Sequence, residues 1–584
     1  MAHSQIDRNE RRIPTHREAI AFRLKSLFLQ ARRSSRDLLD RNIKRFPTVS
    51  SIKTSTVLGE SRTPLWTEHD PREKELLAGK IHNLRLAIRR LDGIEVTGGE
   101  VFSFWKHVGR TSRFRGFVEG RELREGCIIP NVGGGLCQLS NALYDAALKA
   151  DFDIVERHAH TQVVAGSLAE EGRDATVFWN YVDLRFRSAK PFRIEARLDG
   201  RELAVHYFGE KNGRAKNGAL PQISKSFVSD DIGSCVTCEV GDCHRVVERP
   251  TNADFGTTAF LVDEYWPEFD EYIQANKKHC DALFIPIDGR RFRKANYAWT
   301  TNGFAKVTQS FYVTAARSYS SRKLAAQGAS RQRNLLRNYE RLAETYSRRL
   351  SYDMLHVVVQ QDLLPFLWRA GHLGGRTFDV LMTALPMYEI QRRLDNAKSL
   401  HPESKTLADF RADEELVEAE REALRNARKI VTPHSEIASM FPRRGVLVDW
   451  QKPVVPVRNR TKNEKPVVVF PASTVGRKGC YELRGALGGL NVKLIRLGPD
   501  IEDEGFWNGF DTIRGDKNAI ESADVVVLPA FVEHRPRKLI HAAAWGVPVI
   551  ASAACGLKHV SGVETIEASD TNILRQKILQ AISS

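Results

Sequence analysis

Apolar positions follow one rhythm in the first part of the chain and another in the second. Leu76, Leu77, Ile81, Leu84 and Ile88 recur near helical spacing and predict a helix over 70–93, closed by Gly93. A turn at Gly98-Gly99 leads into an aromatic strand ending at Trp105, and a second helix is predicted over 136–150. Strands follow around 176–181, 184–187, 193–198 and 203–208, separated by Gly and Asp turns. This mixture predicts an α+β domain. Beyond residue 255 short apolar runs alternate with helical stretches: 258–262, 282–287, 354–360, 380–383, 429–432, 467–470, 492–497, 525–528 and 547–551. Strand–helix alternation of this kind predicts doubly wound parallel sheets. Residues 321–350 read as one long basic helix with a stripe of Leu335, Tyr339, Leu342 and Tyr346.

At 584 residues the chain is too long for a single core. The pattern divides it into a basic N-terminal arm (1–60), an α+β domain (61–212), a linker with a cysteine-rich cluster (213–254), a first Rossmann-like half (255–440) and a second (441–584). No apolar run reaches the roughly 18 residues of a spanning helix. The N-terminus lacks the apolar core of a secretory signal, so a cytoplasmic protein is expected, peripheral at the inner membrane face if the arm is used. The net charge of +16 favours anionic partners. Residues 1–50 carry 12 Lys/Arg against 5 Asp/Glu, a net of +7, with Phe22, Leu24, Leu27, Phe28 and Leu29 among the arginines. That composition suits either a basic amphipathic helix on an anionic membrane surface or a solvated arm. No basic stretch carries a nucleic-acid motif, so no nucleic acid partner is expected.

The glycine run Gly133-Gly134-Gly135 precedes Cys137 where a helix is expected to start. A helix N-terminus lowers a thiol's pKa through its dipole and unpaired N–H groups. His158 or His160 could take the proton, with Asp174 or Asp183 orienting the imidazole. The alternatives are a small buried cysteine beside hydrogen-bonded histidines, or a metal held by His158, His160 and Cys137.

GGEVFSFWKHVG, GGGLCQLSNALYDAAL, IVERHAHT and GRDATVFWNYVDLRFR, in that order, resemble the VanW family, associated with the cell envelope and glycopeptide (vancomycin) resistance. The resemblance runs from about Asn83 to about Val205. It marks Gly133, Gly134, Gly135, Cys137, Gln138, Ser140, Glu156, Arg157, His158, His160, Arg173, Asp174 and Asp183 as motif positions and assigns none of them a role.

In the linker, Cys235, Cys238, Cys243 and His244 place four soft ligands within ten residues. This spacing suits Zn²⁺ or an iron–sulfur cluster, with a redox dithiol or an incidental loop as alternatives.

Two segments of the second half suit phosphate and sugar. After the predicted strand 467–470, a loop carries Arg477 and Lys478; after 525–528, a loop carries Glu533 and leads into a helix with His541. An ordinary βαβ unit with a surface carboxylate fits the same pattern. As a set these segments resemble the C-terminal half of retaining, two-Rossmann (GT-B) glycosyltransferases. That resemblance implies a nucleotide-sugar donor held by Arg477, Lys478 and Glu533. The family's second glutamate of an E-x7-E pair is replaced by His541, which cannot accept from hydroxyls as a carboxylate does.

The expected protein is therefore multidomain: a VanW-like α+β domain followed by an α/β double-Rossmann region. Its expected function is sugar transfer from a nucleotide-sugar donor to an envelope acceptor. The alternatives are a non-catalytic envelope-precursor binding protein, or a Cys/His hydrolase or transferase using the VanW-like domain.

Overall fold

The computed structural model describes residues 15–40, 43–49, 51–52, 56–67, 70–124, 127–160, 162–163, 167–179, 181–211, 227–228, 233–237, 255–322, 328–409, 411–455 and 463–583. The chain forms two compact units. One comprises Met1–Gly256, Ser351–Leu355 and Ala370–Arg376; the other comprises Thr257–Leu350, His356–Arg369 and Thr377–Ser584.

The first unit is built on a four-stranded antiparallel sheet in the order Val57–Pro64, Glu202–Gly209, Phe192–Leu198, Ile94–Val96. In Phe192–Leu198, alternate residues Phe192, Ile194, Ala196 and Leu198 are buried. Period-two alternation of this kind belongs to a sheet with one covered face. The cover includes the helix Leu136–Lys149, which packs on Val57–Pro64 and Glu202–Gly209. The Tyr207 hydroxyl donates to the Leu143 carbonyl at 2.8 Å, tying sheet to helix. Gly59 permits the close approach, since a Cβ there would lie 2.2 Å from the Ala146 carbonyl oxygen. A smaller antiparallel sheet joins Val101–Ser103, Arg185–Arg187 and Asp153–Glu156, and Phe102, Phe152, Phe186, Phe192 and Tyr207 stack in the core between elements.

The second unit holds two parallel sheets. The first has seven strands, in the order Lys306–Gln309, Ala282–Ile285, Thr257–Leu261, Met354–Gln360, Thr377–Leu381, Lys429–Thr432, Gly445–Leu447. The second has six, in the order Thr512–Arg514, Lys493–Arg496, Val467–Phe470, Val525–Leu528, Val549–Ser552, Val563–Ile566. Counted along the chain, both begin 3-2-1-4-5-6, the doubly wound order in which the connections reverse direction between the first and fourth strands. Central strands such as Val467–Phe470 and Val525–Leu528 are buried at every residue. Helices on both faces of a parallel sheet require such uninterrupted apolar runs.

The elements differ from the sequence expectation at several places. Among the described residues of 176–181 the only strand pairing is an isolated bridge, Phe178 to Val182, where the chain turns back on itself. The aromatic strand stops at Ser103, whose hydroxyl accepts from Lys106 N and caps the short helix Phe104–Val108. The long basic helix is two, Phe311–Arg322 and Ala329–Ser347, the second preceded by Gly328 at φ +108°. No helix among the described residues is long and apolar enough to cross a membrane.

Candidate functional sites

In the antiparallel unit the glycine run does what its composition suggests. Gly133 and Gly135 hold positive φ of 85° and 97°, and Gly135 caps the helix Leu136–Lys149, which places Cys137 in the first helical turn. The strand Asp153–Glu156 leads to the histidines. His160 Nδ1 meets Asp174 Oδ2 at 2.6 Å, and the His160 ring also interacts with the Cys137 side chain, whose Sγ lies 4.0 Å from the Val177 carbonyl oxygen. Burial opposes a charge on His160, but Asp174 and Cys137 outweigh it and push the imidazole up to about 9. The neighbouring carboxyl of Asp174, although desolvated, is held below its usual range by His160 and Arg157. Cys137, His160 and Asp174 thus adjoin one another, and the raised His160 ring is protonated at neutral pH. A sulfur nucleophile beside an imidazolium that can later protonate a leaving group is the arrangement of thiol-dependent acyl transfer and hydrolysis.

The loop carrying Asp174 is clamped to the helix of Cys137. Ser140 Oγ donates to the Ala175 carbonyl at 2.5 Å, and Ala175 N donates to Asn141 Oδ1 at 2.8 Å. Arg157 donates to the Asp174 carboxylate at 2.6 Å and to its backbone carbonyl at 2.7 Å. Of the two histidines only His160 joins this cluster. The His158 side chain is 50% exposed, and its Nε2 lies 3.4 Å from Glu156. Asp183, the other candidate orienting carboxylate, is taken up by Ser103 at 2.6 Å and Arg185 at 2.8 Å. Glu156 and Asp183 belong to an ion network with Arg33, Asp37 and Arg185, a structural role that motif spacing does not distinguish from a catalytic one.

Cys235 is buried, while Cys238, Cys243 and His244 lie outside the described residues. Among the described residues no group of three or more His, Cys, Asp or Glu side chains could hold a metal ion. A metal site at His158, His160 and Cys137 is therefore corrected, because His158 points away and Asp174 occupies His160.

In the parallel unit, loops following the first and fourth strands of the second sheet meet at its switch point. They enclose a cavity of ≈ 290 Å³ whose lining includes Ser473, Arg477, Lys478, Glu533, Arg535 and Lys538. Gly479 allows the loops to touch: its φ is +73°, and a Cβ would lie 2.0 Å from the Pro529 carbonyl oxygen. Lys478 Nζ bonds Glu533 Oε2 at 2.9 Å and the Val532 carbonyl at 3.1 Å. Burial works against the Glu533 charge, but Lys478 and the Arg535 N–H hold its carboxyl down at about 2. Burial lowers the pKa of Arg477 and Lys538. A second cavity, ≈ 450 Å³, shares Arg477 and Lys478 and extends to Glu264 and Asp362, which follow strands of the first sheet, and to Glu420 of the helix Glu414–Asn426. Burial and the nearby Asp263 push the Asp362 carboxyl up to about 8. His541 lines neither cavity; it accepts from the Trp545 indole at 3.1 Å.

Glu502 was not legible from spacing. It accepts from Ser404 Oγ at 2.8 Å, Lys405 N at 3.0 Å and Gly476 N at 2.6 Å, and so anchors the turn that carries Arg477 and Lys478. Arg535 and Asp362 were missed for the same reason: Arg535 is one polar residue of a loop, Asp362 one of the short 3-10 turn Gln361–Leu363, and only the fold directs each to a cavity.

The chain thus combines an antiparallel domain bearing a thiol–imidazole–carboxylate cluster with a doubly wound α/β unit bearing a cation-lined cavity at a switch point. Residues 79–208 match the family described as VanW like protein, and residues 499–584 match the family described as Glycosyl transferases group 1. The chain carries a VanW-like domain and a group 1 glycosyltransferase region; the second match includes Glu533 but begins after Arg477 and Lys478. The chain is 35% identical over 126 residues to the uncharacterized protein YoaR of Bacillus subtilis, covering 21% of this chain and 41% of that one. It is 29% identical over 159 residues to the vancomycin B-type resistance protein VanW of Enterococcus faecalis, covering 25% and 57%. It therefore spans about half the length of these relatives. Similar solved structures include a sucrose-phosphate synthase from Thermosynechococcus elongatus (14% identity, 56% of this chain, 90% of that chain, TM-score 0.36). Another is the lipopolysaccharide outer core galactosyltransferase WaaB (13%, 56%, 90%, TM-score 0.32).

Proposed function

We propose that the parallel-sheet unit transfers a sugar from a nucleotide-sugar donor to an acceptor of the cell envelope, with retention at the sugar carbon. The observation that carries this reading is the Lys478–Glu533 pair on the switch-point cavity, within reach of Arg477 and Lys538. Ligands of open α/β sheets bind at this crevice. Two or three cations at its rim would stabilise the diphosphate as the sugar–oxygen bond breaks, where charge develops most. Glu533, ionised and fixed, would accept from sugar hydroxyls. The larger cavity, with its carboxyl groups, would receive the acceptor. The group 1 glycosyltransferase match supports the donor class, and the name of the VanW relative supports the envelope setting. Isothermal titration with UDP- and GDP-sugars tests it: binding lost in Lys478→Ala is expected, and a folded protein that binds neither nucleotide class overturns the reading.

A second reading concerns the VanW-like domain, on the strength of the Cys137–His160–Asp174 cluster. There Cys137 would give its proton to His160 and attack an acyl carbon; as the thioester C–S bond forms and the bond to the leaving group breaks, His160 would hand that proton to the leaving group. Alkylation of the intact protein at neutral pH, read by peptide mass spectrometry, tests it: Cys137 should react before the other cysteines, and a Cys137 as slow as buried Cys480 removes the reading.

A further inference from the structure

The helix His16–Leu39 is turned the opposite way from an ordinary surface helix. Its start is well defined, with Thr15 and Glu18 forming a reciprocal capping box. At 100° per residue its side chains divide into two faces. One face carries Ser26, Leu29, Gln30, Arg33 and Asp37, all partly buried. On it Arg33 bonds Glu156, and Asp37 receives Arg185 at 2.8 Å. The polar side of the helix is therefore the side held to the protein. Opposite lie Ile20, Leu24, Leu27 and Phe28, at i, i+4, i+7 and i+8, exposed by 50%, 62%, 61% and 66%. No described part of the chain covers them. Exposed Lys25, Arg32 and Arg36 flank this stripe on one side and Arg23 on the other, while exposed Arg17 stands in line with it at the helix start.

Contiguous apolar side chains left in water at this cost mark a surface that is covered in use. The flanking charge narrows the occupant. A partner taking an apolar stripe between rows of cations must be apolar in the middle and anionic at its margins. A bilayer with acidic headgroups has that profile: acyl boundary beneath, phosphates on either side. The ion pairs of Arg33 and Asp37 fix the stripe's direction before contact, so no apolar side chain has to leave a core. We propose that this helix docks the protein onto an anionic lipid surface, with Ile20, Leu24, Leu27 and Phe28 in the headgroup boundary and Arg17, Arg23, Lys25, Arg32 and Arg36 on the phosphates.

The test is co-sedimentation of the full chain with vesicles of phosphatidylcholine alone and of phosphatidylcholine mixed with phosphatidylserine. Binding to the mixed vesicles only, weakened by salt, is expected. Leu24→Glu/Leu27→Glu should reduce it at least about tenfold with an unchanged melting temperature, since both residues are exposed. Neutralising Arg23, Lys25 and Arg32 to Gln should reduce it roughly fivefold per cation. No binding to the mixed vesicles overturns the proposal, as does binding that both variants retain. Self-association of the wild type, abolished by Leu24→Glu/Leu27→Glu and accompanied by no vesicle binding, overturns it in favour of a second copy of the chain.

Discussion

Asp174 in the antiparallel unit and Glu533 in the parallel unit are both buried carboxylates kept ionised by neighbouring cationic groups, Asp174 against an imidazole at 2.6 Å and Glu533 against an ammonium at 2.9 Å. The partner decides what each pair can do. An imidazole has a second nitrogen and an accessible neutral form, so His160 can exchange a proton with Cys137 while Asp174 holds the ring. An ammonium has no such intermediate role at neutral pH; Lys478 can only present charge. One pair is thus suited to proton transfer, and the other to stabilising a fixed anion.

Removing one partner separates the two most strongly. Lys478→Met leaves Glu533 buried without its cation, and loss of about 3–5 kcal/mol is expected in urea unfolding. Much of it should return in Lys478→Met/Glu533→Gln; a single variant as stable as the wild type would show the pair to be solvated. In the other unit the larger effect is on reactivity. His160→Ala should slow alkylation of Cys137 by on the order of 100-fold, and Asp174→Asn by about tenfold, because the ring loses its orientation. His158→Ala should change the rate less than about twofold, since that ring is not in the cluster. Equal rates in all three variants would dissolve the comparison.

Acid and base should distinguish the pairs as well. Glu533 sits at about 2, below its unfolded value, so its contribution is present above roughly 4.3 and fades as pH falls toward 2. His160 sits at about 9, above its unfolded value, so its contribution is full below roughly 6.5 and is lost as pH rises through about 9. Melting temperatures across both windows, with Glu533→Gln and His160→Ala as references, should flatten one limb each. The smallest effect is expected at His541. His541→Ala gives up the Trp545 hydrogen bond, about 1 kcal/mol, and leaves nucleotide affinity unchanged, because the ring lines neither cavity.

The fold was legible where burial imposes a pattern. Val467–Phe470 and Val525–Leu528 read as strands because both faces of a parallel sheet are covered, and Phe192–Leu198 read as one because a single face is. The strands Lys306–Gln309 and Thr512–Arg514 carry no apolar run: at sheet edges about half their residues meet water, and the single apolar residue of each, Val307 or Ile513, is exposed. The cysteine was legible through its glycines. The choice between His158 and His160 was not, since alternate residues near a strand end differ only in which way they face.

From its residues alone the chain declares an α+β domain, two strand–helix series, a cysteine after a glycine turn, and loops with paired cations and a glutamate. These are local matters: periodicity, backbone conformation and composition act over a few neighbours. The tertiary structure alone decided that His160 rather than His158 meets Cys137, and that Asp183 pairs with Ser103 and Arg185. It also decided that Glu502 anchors the turn of Arg477 and Lys478, that His541 faces Trp545, and that the basic helix turns its apolar side outward. Each depends on distant segments sharing one volume, where a side chain's partner is set by packing and desolvation across the fold rather than by its place in the sequence.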